Sequence, residues 1–191
     1  MALDGSPAIE LRGGIMRTLM ALAVVFVCNL EVIRATPLIL EKNEGEARWW
    51  RPLPSDPGTS RFVLKVDPVN GGSDHLVVGT EDFAPGDSIG MHRHPSADEL
   101  VFINSGSARV HLGSTERDVH AGAVVFIPTN TWIGFHFTGR DSTNISFVFS
   151  SPGFEQYMRA ESVRDGEKNS PLTQAESETI DKRFAHHVVY R

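Results

Sequence analysis

Between residues 62 and 150 the chain is built from short apolar runs separated by turn residues. The runs 62–66, 76–80, 100–104, 108–112, 123–127, 132–137 and 145–149 have the length and residue types of strands. Gly71-Gly72, Pro85-Gly86, Gly113-Ser114, Ala121-Gly122 and Gly139-Arg140 punctuate them as turns. Strands at this spacing, with no helices between them, predict a sandwich or barrel rather than a βαβ fold. Several runs are apolar on both faces, Leu100-Val101-Phe102-Ile103 among them, which fits strands covered on both sides in a double-sheet jelly roll.

The pattern changes after Ser150. Pro152-Gly153 leads into Phe154, Tyr157 and Met158, which recur at helical spacing. Thr173 and Glu176 have the spacing of a capping box, opening a helix that carries Ile180 and Phe184. His186 and His187 follow. As neighbours they do not face one way, and they are read as solvated tail residues. Four parts result: 1–35, an extended arm over 36–60, a barrel over 61–150 and a helical extension over 151–191. Prolines 37, 52, 54 and 57 favour an extended arm. Its Trp49-Trp50 pair is expected to clamp the arm onto the barrel or a second subunit.

The first part has its own logic. Met16-Arg17 precedes an apolar run over 19–30, broken only by Asn29, and a small residue, Ala35, closes the segment. A positive start, a short apolar stretch and a small residue describe a secretory signal peptide, and the run is short for a membrane span. The expectation is a secreted or periplasmic protein, with no membrane attachment in its mature form.

Composition narrows the chemistry. The 191 residues have a formal charge of -6 and show no basic stripe, which argues against nucleic acid as a partner. Cys28 is the sole cysteine, so a cysteine-rich zinc cluster is excluded and a metal site must use His, Asp or Glu.

One segment has that composition. His92 and His94 are two apart, and on a strand they present both imidazoles to one face. Pro95 ends that strand, and Glu99 opens the next, where its carboxylate can meet the two rings. Two imidazoles and one carboxylate suit a divalent transition metal such as Fe, Mn, Ni or Zn, with coordination positions left for water or substrate. His75, His111 and His120 lack such partners and are read as packed or solvated.

Gly86, His92, His94, Glu99 and Gly106 have the spacing Gly-x5-His-x-His-x4-Glu-x6-Gly. This resembles the first motif of the cupin superfamily, in its small single-domain type-2 form. The resemblance implies an all-β double-stranded β-helix, or jelly-roll, barrel with short C-terminal helices. It also implies that His92, His94 and Glu99 bind metal inside the barrel, and that the protein is a homodimer. The second cupin motif, Gly-x5-Pro-x-Gly-x2-His-x3-Asn, is matched by Gly122 and Pro128. Asn130 replaces its second glycine, a mild change because Asn tolerates left-handed backbone. Ile133 stands at its histidine and Phe137 at its asparagine. His136 is a candidate fourth ligand, but three residues from Ile133 it faces the other way unless a bulge turns it.

These residues imply a metal-dependent enzyme on a small, moderately apolar molecule. The resemblance implies a dioxygenase, decarboxylase or isomerase, with Glu99 as the catalytic proton acceptor, and Phe126, Ile133, Phe135 and Phe137 are the candidates to line the pocket. The alternative is a non-catalytic ligand-binding or structural module with weak or no metal binding.

Overall fold

The computed structural model describes residues 35–53 and 60–191. The expected signal peptide, with Met16 and Cys28, lies outside the described residues save for Ala35, and so do Pro54 and Pro57 of the arm. The strands are β1 (Glu46–Trp50), β2 (Arg61–Val66), β3 (Val77–Phe83), β4 (Ser88–Arg93), β5 (Glu99–Ser105), β6 (Ser107–Leu112), β7 (Thr115–His120), β8 (Val124–Ile127), β9 (Ile133–Phe137), β10 (Thr143–Phe149), β11 (Ser162–Arg164) and β12 (Val189–Tyr190). The helices are α1 (Phe154–Ala160) and α2 (Gln174–Phe184). No helix among the described residues is long and apolar enough to cross a membrane.

The strands form two antiparallel sheets, in the orders β11-β1-β2-β3-β10-β5-β8 and β12-β4-β9-β6-β7. Inward positions alternate along the strands, as the two-residue period requires. On β10 Ile145, Phe147 and Phe149 are buried, and on β5 Val101 and Ile103 are buried. With Phe62, Leu64, Val110, Ile127, Phe135 and Phe137 they form the core between the sheets. Each such side chain taken from water contributes about 1.5–3 kcal/mol.

Strands outside the expected barrel limits complete both sheets. The arm over 36–60 is in part a strand: β1 pairs with β2 on one side and β11 on the other. Its apolar signal is weak because the inward-facing residues at its start are Glu46 and Arg48, buried as a hydrogen-bonded pair. Edge strand β7, Thr-Glu-Arg-Asp-Val-His, has no apolar run because most of it is exposed. The Trp pair divides its work. Trp49 Nε1 donates to Asp165 at 3.0 Å, while Trp50 turns inward against Phe62.

Helix α2 begins as expected. The Thr173 hydroxyl accepts from the Glu176 backbone N–H, and the Glu176 carboxylate accepts from the Thr173 N–H at 2.8 Å. Its Phe184 joins Tyr157 and Val188 in a small second apolar cluster, against which Trp50 and Phe154 also pack. The helices are thereby held against the barrel core, because Trp50 and Phe154 touch both clusters.

Candidate metal centre

Strand β4 aims the two histidines by an irregularity. Ile89 pairs with Phe135, yet His92 pairs with Ile133, so three steps on β4 match two on β9. This bulge reverses the phase of the side chains. Without it the inward series from Ile89 would continue through Met91 and Arg93. With it, His92 and His94 are buried. Glu99, the first residue of β5, is buried opposite them, and the three offer ligand atoms that all lie within 4.8 Å of one another.

The hydrogen bonds fix which ring atoms face inward. His92 Nδ1 lies 2.8 Å from the Gly90 carbonyl, and His94 Nδ1 lies 2.9 Å from the His187 carbonyl. A carbonyl only accepts, so each Nδ1 carries the proton and each neutral ring presents a bare Nε2. His94 Nε2 and Glu99 Oε2 are 3.5 Å apart, and both are buried with no hydrogen-bond partner. Unpaired buried polar atoms are rare and costly. A cation between them satisfies both, and the set of two imidazoles and one carboxylate suits a divalent transition metal. The three residues can therefore hold one metal ion.

Electrostatics agree with the geometry. Burial, aided by the charge of Glu81, pushes the Glu99 carboxyl up to about 8. Burial pushes His94 down to about 3, with His92 as a further cause. His92 is also lowered by burial, against its bond to Gly90. By themselves these three groups therefore favour their neutral forms. A bound cation reverses this for Glu99, because it favours the carboxylate.

The second motif braces this site. Asn130 takes a left-handed backbone, φ 68°, as its replacement of glycine requires, and its N–H donates to the His94 carbonyl at 2.8 Å. Thr129 donates from both backbone and hydroxyl to Asp98, between the histidines and Glu99. Gly106 of the first motif lies against Thr143 with φ 80°, where a Cβ would collide with that side chain.

The other expected site residues scatter. Ile133 is fully buried directly across from His92, so the position of the missing histidine is filled by an apolar side chain at the level of the cluster. Phe135 lines the cavity, whereas Phe137 is buried in the core and does not line it. His136 is not a fourth ligand here. It pairs on the outer face with Ser88, whose hydroxyl is 2.9 Å from its Nδ1. The bulge that changes side-chain phase is on β4 and not at His136. Phe126 is likewise corrected. It lies on the outer face of β8, 54% exposed, because its inward neighbours are Val125 and Ile127. His187 is no free tail residue: it is half-buried, with its ring against Ser96.

The cluster opens on a cavity of about 610 Å³ lined by Phe135, Phe147, Phe149 and Phe154. Glu81 of β3 lines it too, 7% exposed. Its Oε1 accepts from Trp50 Nε1 and Ser60 Oγ, each at 2.6 Å. Burial pushes its carboxyl up to about 7 despite those donors, and Asp82 and Asp87 add to the rise. Glu81 shares a row with Ile145 and Ile103, while Glu99 shares one with Phe149 and Val77. The rows are four residues apart, roughly 13 Å along the strand. Sequence reasoning missed Glu81. Its one local signal is a carboxylate on the apolar alternation Val77, Gly79, Glu81, Phe83.

Comparison with protein families matches residues 79–149 to the cupin domain. These residues form a cupin domain. The match spans both motifs, and the two-sheet barrel above is the corresponding double-stranded β-helix. Among solved structures, a predicted oxalate decarboxylase from Thermotoga maritima is 16% identical, with a TM-score of 0.53 over 60% of this chain and 100% of that chain. KdgF from Halomonas sp. is 20% identical, with a TM-score of 0.46 over 56% and 91% of the two chains. An uncharacterized conserved protein with a double-stranded β-helix domain from Klebsiella pneumoniae is 18% identical, with a TM-score of 0.43 over 59% and 83%. No curated protein matches this chain by sequence.

Proposed function

We propose that the protein is an exported, metal-dependent cupin acting on a small, moderately apolar organic molecule, with dioxygenase-like chemistry. The observation that carries this reading is the pair of unpartnered buried atoms, His94 Nε2 and Glu99 Oε2, beside an aromatic cavity. His92, His94 and Glu99 would hold the ion. When bound, it would supply Lewis acidity toward a carbonyl or enolate oxygen, or a site for dioxygen.

The chain's own residues supply the rest. Phe135, Phe147, Phe149 and Phe154 exclude water and favour aromatic or aliphatic compounds. Glu99 holds a proton at its carboxylate when it is not a ligand. Glu81, oriented by Trp50 and Ser60, offers a second carboxylate at a distance from the cluster. Arg51 is the one arginine or lysine among the described lining residues, while Glu81, Glu161 and Asp181 also face the cavity. That charge pattern disfavours phosphates and a small dianion such as oxalate, the substrate in the Thermotoga protein's name. A phenol or diketone fits better. The fold is shared by many chemistries and does not choose among them.

Ile133 favours a second reading, a ligand-binding module with weak metal affinity, because the fourth protein ligand is absent there. Metal analysis separates the two. Stoichiometric metal in the purified protein, lost in His92→Ala and Glu99→Ala, supports the enzyme, and oxygen uptake with phenols and diketones then tests the chemistry. A metal-free preparation whose melting temperature ignores added Fe2+, Mn2+, Ni2+ and Zn2+ would sink it. We also propose a homodimer, with the partner covering the exposed Phe102, Val124 and Phe126, which light scattering checks.

A further inference from the structure

We infer that the segment 187–191 is a working part of the metal centre, positioning His92 and His94 for the ion. This rests on the reading of the cluster as a metal site.

The segment touches both histidines. The His187 carbonyl holds His94 Nδ1 at 2.9 Å, which fixes the tautomer and aims Nε2 at Glu99. No other hydrogen bond to His94 Nδ1 exists among the described residues. Two residues later, β12 pairs with β4, setting Val189 against Arg93 and Tyr190 against His92. The Tyr190 ring lies 5.6 Å from the His92 ring. One short segment, about 95 residues away in sequence from the motif it serves, thus orients one ligand by a hydrogen bond and packs on the other.

Five anchors hold the segment in place. The His187 ring packs on Gly153, where a Cβ would collide with it, and its Nδ1 lies 2.9 Å from the Ser96 hydroxyl. Val188 is buried with Tyr157 and Phe184. The Arg191 N–H donates to the Met91 carbonyl at 3.0 Å. The Arg191 guanidinium lies 5.7 Å from the Trp132 ring, which Arg93 also approaches at 5.0 Å. Met91 is in the β4 bulge and Ser96 follows His94, so the anchors bracket the two ligands.

Partners that orient a ligating imidazole typically set 10–100-fold in metal affinity. His187 and Tyr190 act here as positioning residues.

The test is a Co2+ titration of the full chain, of a chain ended at His186, and of Ser96→Ala, reading affinity and the visible spectrum of the bound ion. The shortened chain should bind about 10–100-fold more weakly with a shifted spectrum. Ser96→Ala, which frees the His187 ring, should shift the spectrum in the same direction with a smaller loss. A shortened chain that is folded by circular dichroism and binds Co2+ with unchanged affinity and spectrum overturns the inference. Should the shortened chain not fold, Ser96→Ala decides, and an unchanged spectrum overturns it. If the full chain itself takes up no Co2+, the metal reading falls first and this inference with it.

Discussion

The barrel contains two buried charged clusters that obey opposite rules. Around Glu46 every charge has a partner. Arg48 binds Glu46 Oε1 at 2.7 Å, Arg159 binds Glu46 Oε2 at 2.7 Å, and Arg159 also binds Asp67 at 2.6 Å. Burial alone would raise the Glu46 carboxyl, but hydrogen bonds from Arg159 and Arg48 bring it down to about 2. Around His94 the reverse holds. Glu99 is pushed up to about 8 and His94 down to about 3, and two atoms lack partners. The first cluster is complete as folded and ties β1 to α1. The second leaves two ligand atoms facing each other without a partner, and that distinguishes a brace from a binding site.

This contrast is open to direct attack. The largest effect is expected at Glu46. Glu46→Ala leaves Arg48 and Arg159 buried without their carboxylate and should destabilise the fold by about 3–5 kcal/mol in urea unfolding. His94→Ala in the metal-free protein should cost less, because it strands no buried charge: Nε2 has no partner and the one bond lost is from Nδ1 to the His187 carbonyl. Equal losses would end the distinction.

Glu81 is hydrogen-bonded by Trp50 and Ser60 but has no cation among those partners, and it gives a pH test. Its folded carboxyl is raised from 4.5 to about 7. Its stabilising contribution is therefore fully present below pH 4.5 and is lost as pH rises through 7. Gln keeps an acceptor for Trp50 and Ser60 without the charge. Glu81→Gln should gain up to about 3 kcal/mol over the parent between pH 4 and pH 9. A pH-independent difference in melting temperature would show that Glu81 has a cationic partner after all.

Two smaller effects sharpen the metal side. Ile133→His places an imidazole across from His92 and should tighten Zn2+ binding by about tenfold, or 1.4 kcal/mol, read by isothermal titration. Unchanged affinity would show that the strand level of Ile133 does not reach the ion. His136→Ala, on the outer face, should leave that affinity unaltered, and a measurable loss would return His136 to the site.

How legible the site was in the sequence depends on how local each feature is. His92, His94 and Glu99 are close in the chain, so their spacing alone suggests convergence. Their inward direction was right for an incomplete reason: two-residue alternation makes them share a face, and the bulge at β4 decides which face. The same logic misplaced Phe126. Its strand reads Val-Val-Phe-Ile, apolar at every position, and such a run does not say which face is inward. Phe126 and Val124 in fact lie outside.

By itself the sequence determined the elements whose causes are local. The apolar runs and their turns, the capping box of α2, the left-handed turn at Asn130 and the identity of the three clustered residues follow from neighbours within a few positions. Tertiary structure alone decided the rest. It paired β1 and β12 into the sheets, turned β4 by register against β9, brought Glu81 into the cavity of His92 and Glu99, and set the His187 carbonyl on His94. Each depends on pairing between segments distant in sequence, and register across such pairs is set by the packing of the whole barrel, which no short window of residues contains.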